Sequence, residues 1–177
     1  MSVPSTIMLD LVDNLIQEIN SSQSTYISLS LSDNTISKLN NLIRKYNIPN
    51  PVKPNNFHIT LLTSNKSPNI PFGDYKLDLE LNDIKRFTVM TWFSNKRQFP
   101  DKRLMVLEFN SYQLLKLRNH LINILNLPLS SIPPLINKFH ITLSYNVGDK
   151  KSYPITKDII NSFPIEVTSF KCLSKIT

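Results

Sequence analysis

The amino-acid sequence predicts an α+β fold of two similar lobes, and three observations carry that expectation. Segments whose hydrophobic residues alternate every two positions are interleaved with segments of helical periodicity. The order amphipathic helix, proline-containing link, short β-branched strand occurs in both halves of the chain. The strand that ends each of these series is the same pentapeptide, Phe-His-Ile-Thr-Leu, at 57–61 and again at 139–143. Outside the pentapeptide the repeat is weak. The 177 residues fit one domain, read as a single bilobal unit over 1–177 with a helix at 4–20 as an N-terminal extension.

The opening segment MSVPSTIMLDLVDNLIQEIN lacks a basic start, and Asp10, Asp13 and Glu18 interrupt its apolar residues, so it reads as an amphipathic helix and not as a signal peptide. TYISLSL at 25–31 alternates strictly, with Ile27, Leu29 and Leu31 on one face and Tyr26, Ser28 and Ser30 on the other, as a half-buried strand does. SDNTISKLNNLIRKYN supplies capping residues and then Ile36, Leu39, Leu42 and Ile43 at helical spacing. The first FHITL is a strand. YKLDLEL at 75–81 is another, with Tyr75, Leu77, Leu79 and Leu81 facing in. FTVMTWF and RLMVLEF are strands flanking a basic loop at 94–103. SYQLLKLRNHLINILN is a second amphipathic helix, LPLSSIPPLI a proline-rich link, and the second FHITL a strand. PITKDIINSF reads as a short helix and PIEVTSFKCLSKI as a closing strand.

Composition narrows the chemistry. The single cysteine, Cys172, excludes an internal disulfide and any CxxC motif, which fits a reducing, cytoplasmic setting. With two glycines, Gly73 and Gly148, neither a Walker loop nor a GxGxxG fingerprint can be written. No run approaches the roughly 18 apolar residues of a membrane span. Lys and Arg number 20 against 13 Asp and Glu, a net charge of +7 that suits phosphate-bearing partners.

Of three histidines, two lie in the repeated pentapeptide, His58 and His140. Side chains alternate along a strand, so His58 and Thr60 share one face while Phe57, Ile59 and Leu61 take the other; the same holds for His140 and Thr142. Lobes facing each other would line a cleft with two His-Thr pairs. An imidazole titrates near neutrality, so one can act as base and the other as acid. Threonine hydroxyls can donate to phosphate oxygens and stabilise charge as phosphorus is attacked. The pattern suits phosphodiester cleavage without a metal or cofactor, because neither HxT segment carries the further Asp, Glu, Cys or His that zinc would need. His120, on the second helix, reads as structural. Trp92, before the basic loop, is either a base-stacking aromatic or an ordinary core tryptophan.

FHIT at 57–60 and at 139–142 resembles the signature of the 2H phosphoesterase superfamily, and the resemblance runs from about Tyr26 to the end of the chain. It implies two pseudo-symmetric α/β lobes with antiparallel sheets around a central cleft. NIPNPVKPNNFHITLL and FHITLSYNVGD look most like the phage branch that counters CBASS immunity by destroying cyclic oligonucleotides. That branch implies His58, Thr60, His140 and Thr142 as catalytic residues, Tyr26 as a cleft tyrosine, and cyclic di- or trinucleotides as substrate in the host cytoplasm, with no membrane or long nucleic acid required. Tyr26 also fits a simple strand-edge role. A carboxylate near the C-terminus assists binding in some relatives, and Glu166 is the nearest counterpart. Within the superfamily, 2',5'-oligoadenylate phosphodiesterases and RNA 2',3'-cyclic phosphodiesterases are the other activities; a nucleotide-binding sponge is the non-catalytic alternative.

Overall fold

Alternating side chains make Ser24–Leu31 a strand, β1, with Ile27, Leu29 and Leu31 buried as the pattern requires. The computed structural model describes residues 24–92, 102–134, 137–149, 153–155 and 163–175. The expected helix at 4–20, most of the one at 154–163 and most of the loop at 94–103 therefore lie outside the described residues.

Chain reversal after β1 is set by Ser32, whose hydroxyl accepts from the Thr35 N–H at 3.1 Å and caps α1, Asp33–Lys45. A short 3-10 turn, Pro54–Asn56, leads into β2, His58–Ser64. Then come β3, Gly73–Leu81; β4, Lys85–Trp92; and β5, Lys102–Asn110. Ser111 caps α2, Tyr112–Ile124, accepting from the Leu114 N–H at 3.2 Å. A second 3-10 turn, Leu129–Ser131, precedes β6, Lys138–Ser144, and the described chain closes on β7, Ile165–Lys175.

Both helices end alike. Asn47 and Asn126 adopt positive φ, 49° and 52°, where Asn is tolerated better than most residues. Behind them Ile48 N–H reaches Ile43 O at 3.0 Å and Leu127 N–H reaches Ile122 O at 3.1 Å, the long bond of a Schellman ending. A proline follows each, Pro49 and Pro128, and stops further winding.

The strands pair in the order β3-β7-β1-β2-β6-β5-β4, antiparallel throughout. The fold is α+β, as expected, and the sheets of the two lobes are fused into one. Their seam is the junction of β2 and β6, registered through Ile59 and Ile141. Each FHITL strand also carries a bulge at its leucine. Ile27 pairs with Leu62 but Ser28 with Thr60, leaving Leu61 over; Met105 pairs with Ser144 but Val106 with Thr142, leaving Leu143 over. The extra residue lets both Leu61 and Leu62 enter the core. Phe57, Ile59 and Leu61, with Phe139, Ile141 and Leu143, are buried against α1 and α2 residues such as Leu39 and Leu114.

Candidate active site

Because Ile59 and Ile141 pair across the seam and both face the core, the residues on either side of them face the opposite way. His58, Thr60, His140 and Thr142 thus share the face of the sheet away from the helices. In the register that the isoleucine pair sets, His58 lies toward Thr142 and Thr60 toward His140. The two histidines are then diagonal neighbours, a relation that spans about 7–8 Å in a regular ladder. His58 is also one of the charges acting on His140. His58 is exposed, while His140 and both threonines are half-buried.

Tyr26 joins this group. Its hydroxyl lies 3.0 Å from His58 Nε2 and 2.6 Å from Thr60 Oγ1, and its ring meets the imidazole edge-on at 72°. The other ring nitrogen, Nδ1, is 2.8 Å from the Asn56 carbonyl oxygen, an acceptor only, so Nδ1 carries a proton. In the neutral imidazole Nε2 is therefore an acceptor for the Tyr26 O–H, and Thr60 in turn donates to the Tyr26 oxygen.

His140 has different company. Its cross-strand partner is Glu108, whereas the partner of His58 is Ser30. Burial pushes the His140 imidazole below its ordinary value; Glu108 acts against that shift and His58 with it. Glu108 is itself buried. Arg86 holds its Oε1 through both Nε, at 2.9 Å, and Nη2, and Lys138 Nζ approaches the same oxygen at 3.4 Å. Burial alone would raise the Glu108 carboxyl, but the Arg86 hydrogen bond and the Lys138 and Arg86 charges hold it below the usual range. A recess of about 560 Å³ adjoins the cluster, lined in part by Asp83, Lys85, Arg86, Glu108 and Lys138.

The four HxT residues and Tyr26 come together on one face. Trp92 ends β4 opposite Lys102, and its side chain lies outside the described residues. His120 is on the exposed side of α2. Glu166 is engaged at the N-terminus of α1, where its carboxylate accepts from Asn34 Nδ2 at 2.7 Å and Ser32 Oγ at 3.3 Å; a negative charge there complements the helix dipole. Sequence reasoning passed over Glu108, Arg86 and Lys138. Alternation in RLMVLEF puts Glu108 on the face opposite Met105, Leu107 and Phe109, which was a signal, but its pairing with His140 depends on strand order.

Among solved structures, a phosphoesterase is similar over 86% of this chain and 88% of its own, at 14% identity and a TM-score of 0.49. E. coli LigT in apo form is similar over 87% of this chain and 88% of its own, at 17% identity and a TM-score of 0.49. No curated protein matches the sequence. The family model described as anti-CBASS protein Acb1 matches residues 23–169, well over half of the chain and a span that includes both HxT strands, Tyr26 and Glu108. The chain belongs to the Acb1 family of anti-CBASS proteins.

Proposed function

We propose that this protein is a metal-independent phosphodiesterase that hydrolyses 3',5' bonds of cyclic di- or trinucleotide immune messengers through His58 and His140. The observation that carries this reading is the pair of HxT motifs flanking the Ile59–Ile141 seam on one face of one sheet. Membership of an anti-CBASS family and the net charge of +7 favour an anionic messenger as substrate.

One histidine removes the proton from the attacking hydroxyl, either a ribose 2'-OH or a water. The new P–O bond forms as the bond to the 5'-oxygen breaks, and that oxygen leaves with the electron pair and takes a proton from the other histidine. Thr60 and Thr142 donate to the non-bridging oxygens, where charge accumulates in the transition state. If the 2'-OH attacks, a 2',3'-cyclic phosphate forms first and opens with the histidines exchanging roles.

The test is incubation of the purified protein with cyclic dinucleotides, a cyclic trinucleotide, 2',5'-oligoadenylate and a nucleoside 2',3'-cyclic phosphate, beside the His58→Ala and His140→Ala variants. Wild-type protein should cleave the cyclic oligonucleotides, and either variant should lose roughly 10²-fold or more in rate while keeping its circular dichroism spectrum. Recovery of every substrate intact, or full activity in either variant, overturns the reading.

A further inference from the structure

We propose that Glu108 is a positioning residue that favours the protonated form of His140 against its burial, so that His140 acts as the general acid and His58 as the base of the bond-breaking step. This rests on the phosphodiesterase reading above. The two halves of the sheet place their histidines equivalently, but the side chain paired with each differs: a hydroxyl, Ser30, beside His58, and a carboxylate, Glu108, beside His140. Directly paired residues of an antiparallel ladder stand on the same face, about 4.5–5.5 Å apart at Cβ. A carboxylate at that range favours the imidazolium.

Glu108 is also held in place. Its side chain is only 11% exposed, its Oε1 takes the Arg86 fork and Lys138, and it stays ionised through those contacts. The groups that act on His140 are Glu108 from β5 and His58 from β2, while Arg86 of β4 and Lys138 of its own strand reach it through Glu108. Of these, only Glu108 favours a proton on His140. Burial opposes the charge and outweighs the carboxylate, so without Glu108 the protonated form of His140 would be scarcer still.

His58 is arranged for the other role. Its Nδ1 proton is committed to the Asn56 carbonyl, so the acceptor nitrogen of the neutral ring is Nε2, which the Tyr26 hydroxyl meets until a substrate hydroxyl takes its place.

The experiment compares pH profiles of kcat/KM for wild type, Glu108→Gln and Glu108→Asp, and follows the three histidine C2–H resonances by NMR titration. A general acid must be protonated, so it sets the descending limb of the bell. Glu108→Gln should move that limb to lower pH, leave the ascending limb where it was, and cause a loss that grows with pH. Glu108→Asp should restore part of the shift. Arg86→Gln, at a side chain 61% exposed, removes a neutralising charge and should move the same limb the opposite way, which keeps the test available if Glu108→Gln does not fold.

Movement of the ascending limb instead would assign His140 as base and overturn the proposal. So would a pH-independent loss, or an unchanged His140 titration in Glu108→Gln. If wild-type protein cleaves no phosphodiester, the functional reading fails by itself; the NMR titration still decides whether Glu108 governs the His140 proton.

Discussion

Replacing Tyr26 by phenylalanine removes one oxygen and keeps the ring, so it isolates the hydroxyl that links His58 Nε2 at 3.0 Å to Thr60 Oγ1 at 2.6 Å. While His58 is neutral, protons run in one direction: Thr60 donates to Tyr26, Tyr26 to Nε2, and Nδ1 to the Asn56 carbonyl. On the proposed mechanism, once His58 has taken a proton Nε2 becomes a donor, Tyr26 would turn its O–H to Thr60, and the Thr60 proton would be free to face the phosphate. A neutral hydrogen bond contributes about 0.5–1.5 kcal/mol and one to a charged group about 1.5–3 kcal/mol. Only the difference, about 1–2 kcal/mol, is gained between ground and transition states and so counts toward rate. Tyr26→Phe should therefore lower kcat by roughly 5–30-fold with KM little changed, and lower stability by about 1 kcal/mol or less. Steady-state kinetics on a cyclic dinucleotide, with urea unfolding as the control, measures both. A raised KM at full kcat would mean that Tyr26 binds substrate and takes no part in the proton relay, and the reasoning would be wrong.

Two further outcomes follow from the same contacts. Ser111→Ala removes the α2 cap and should cost about 1 kcal/mol; Ser32→Ala should cost more, because Ser32 also donates to Glu166 and contacts Thr35. Urea unfolding of both variants checks the order, and equal or negligible losses would contradict it. His140 resists protonation when folded, because burial holds it below its ordinary 6.5. As pH falls through 6.5 and then through that depressed value, the unfolded chain binds a proton that the folded chain refuses, so stability is lost in that window and is fully present above it. His140→Gln should flatten the stability profile between pH 5 and 7 relative to wild type, and parallel profiles would refute the assignment.

Local pattern made much of this legible in the sequence. The alternation of TYISLSL, the helical spacing after Ser32 and Ser111, and the inward Phe, Ile and Leu of each FHITL all appear where they were expected. These depend on neighbours along the chain. Strand order does not, and so the seam between β2 and β6 and the pairing of Glu108 with His140 could not be read from alternation. A second repeat was present in the residues themselves: Asn47-Ile48-Pro49 and Asn126-Leu127-Pro128 end the two helices in the same way. It went unread because a positive φ at Asn leaves no periodic trace.

Together the bulges and the helix endings explain how two weakly similar halves hold their histidines alike. A one-residue slip in either FHITL strand would send its histidine into the core. The apolar triplets Phe57-Ile59-Leu61 and Phe139-Ile141-Leu143 forbid that slip, and the leftover leucine at each bulge anchors the register once more. The backbone is thus repeated while the surrounding side chains diverge. Ser30 stands where the other half has Glu108, and Tyr26, just before the bulge-flanking Ile27, stands where the other half has Leu104 before Met105. On the proposed mechanism, acid/base attack at one phosphorus centre calls for similar reach from the two imidazoles and unequal proton affinity. The repeated backbone would supply the first, and the differences at the Ser30/Glu108 and Tyr26/Leu104 positions the second. Exchanging the pair by Ser30→Glu with Glu108→Ser should therefore slow cleavage far more than either helix-cap variant, with both histidines still in place. An active double variant with an unchanged pH profile would show that the two imidazoles are interchangeable and that the flanking side chains do not assign their roles.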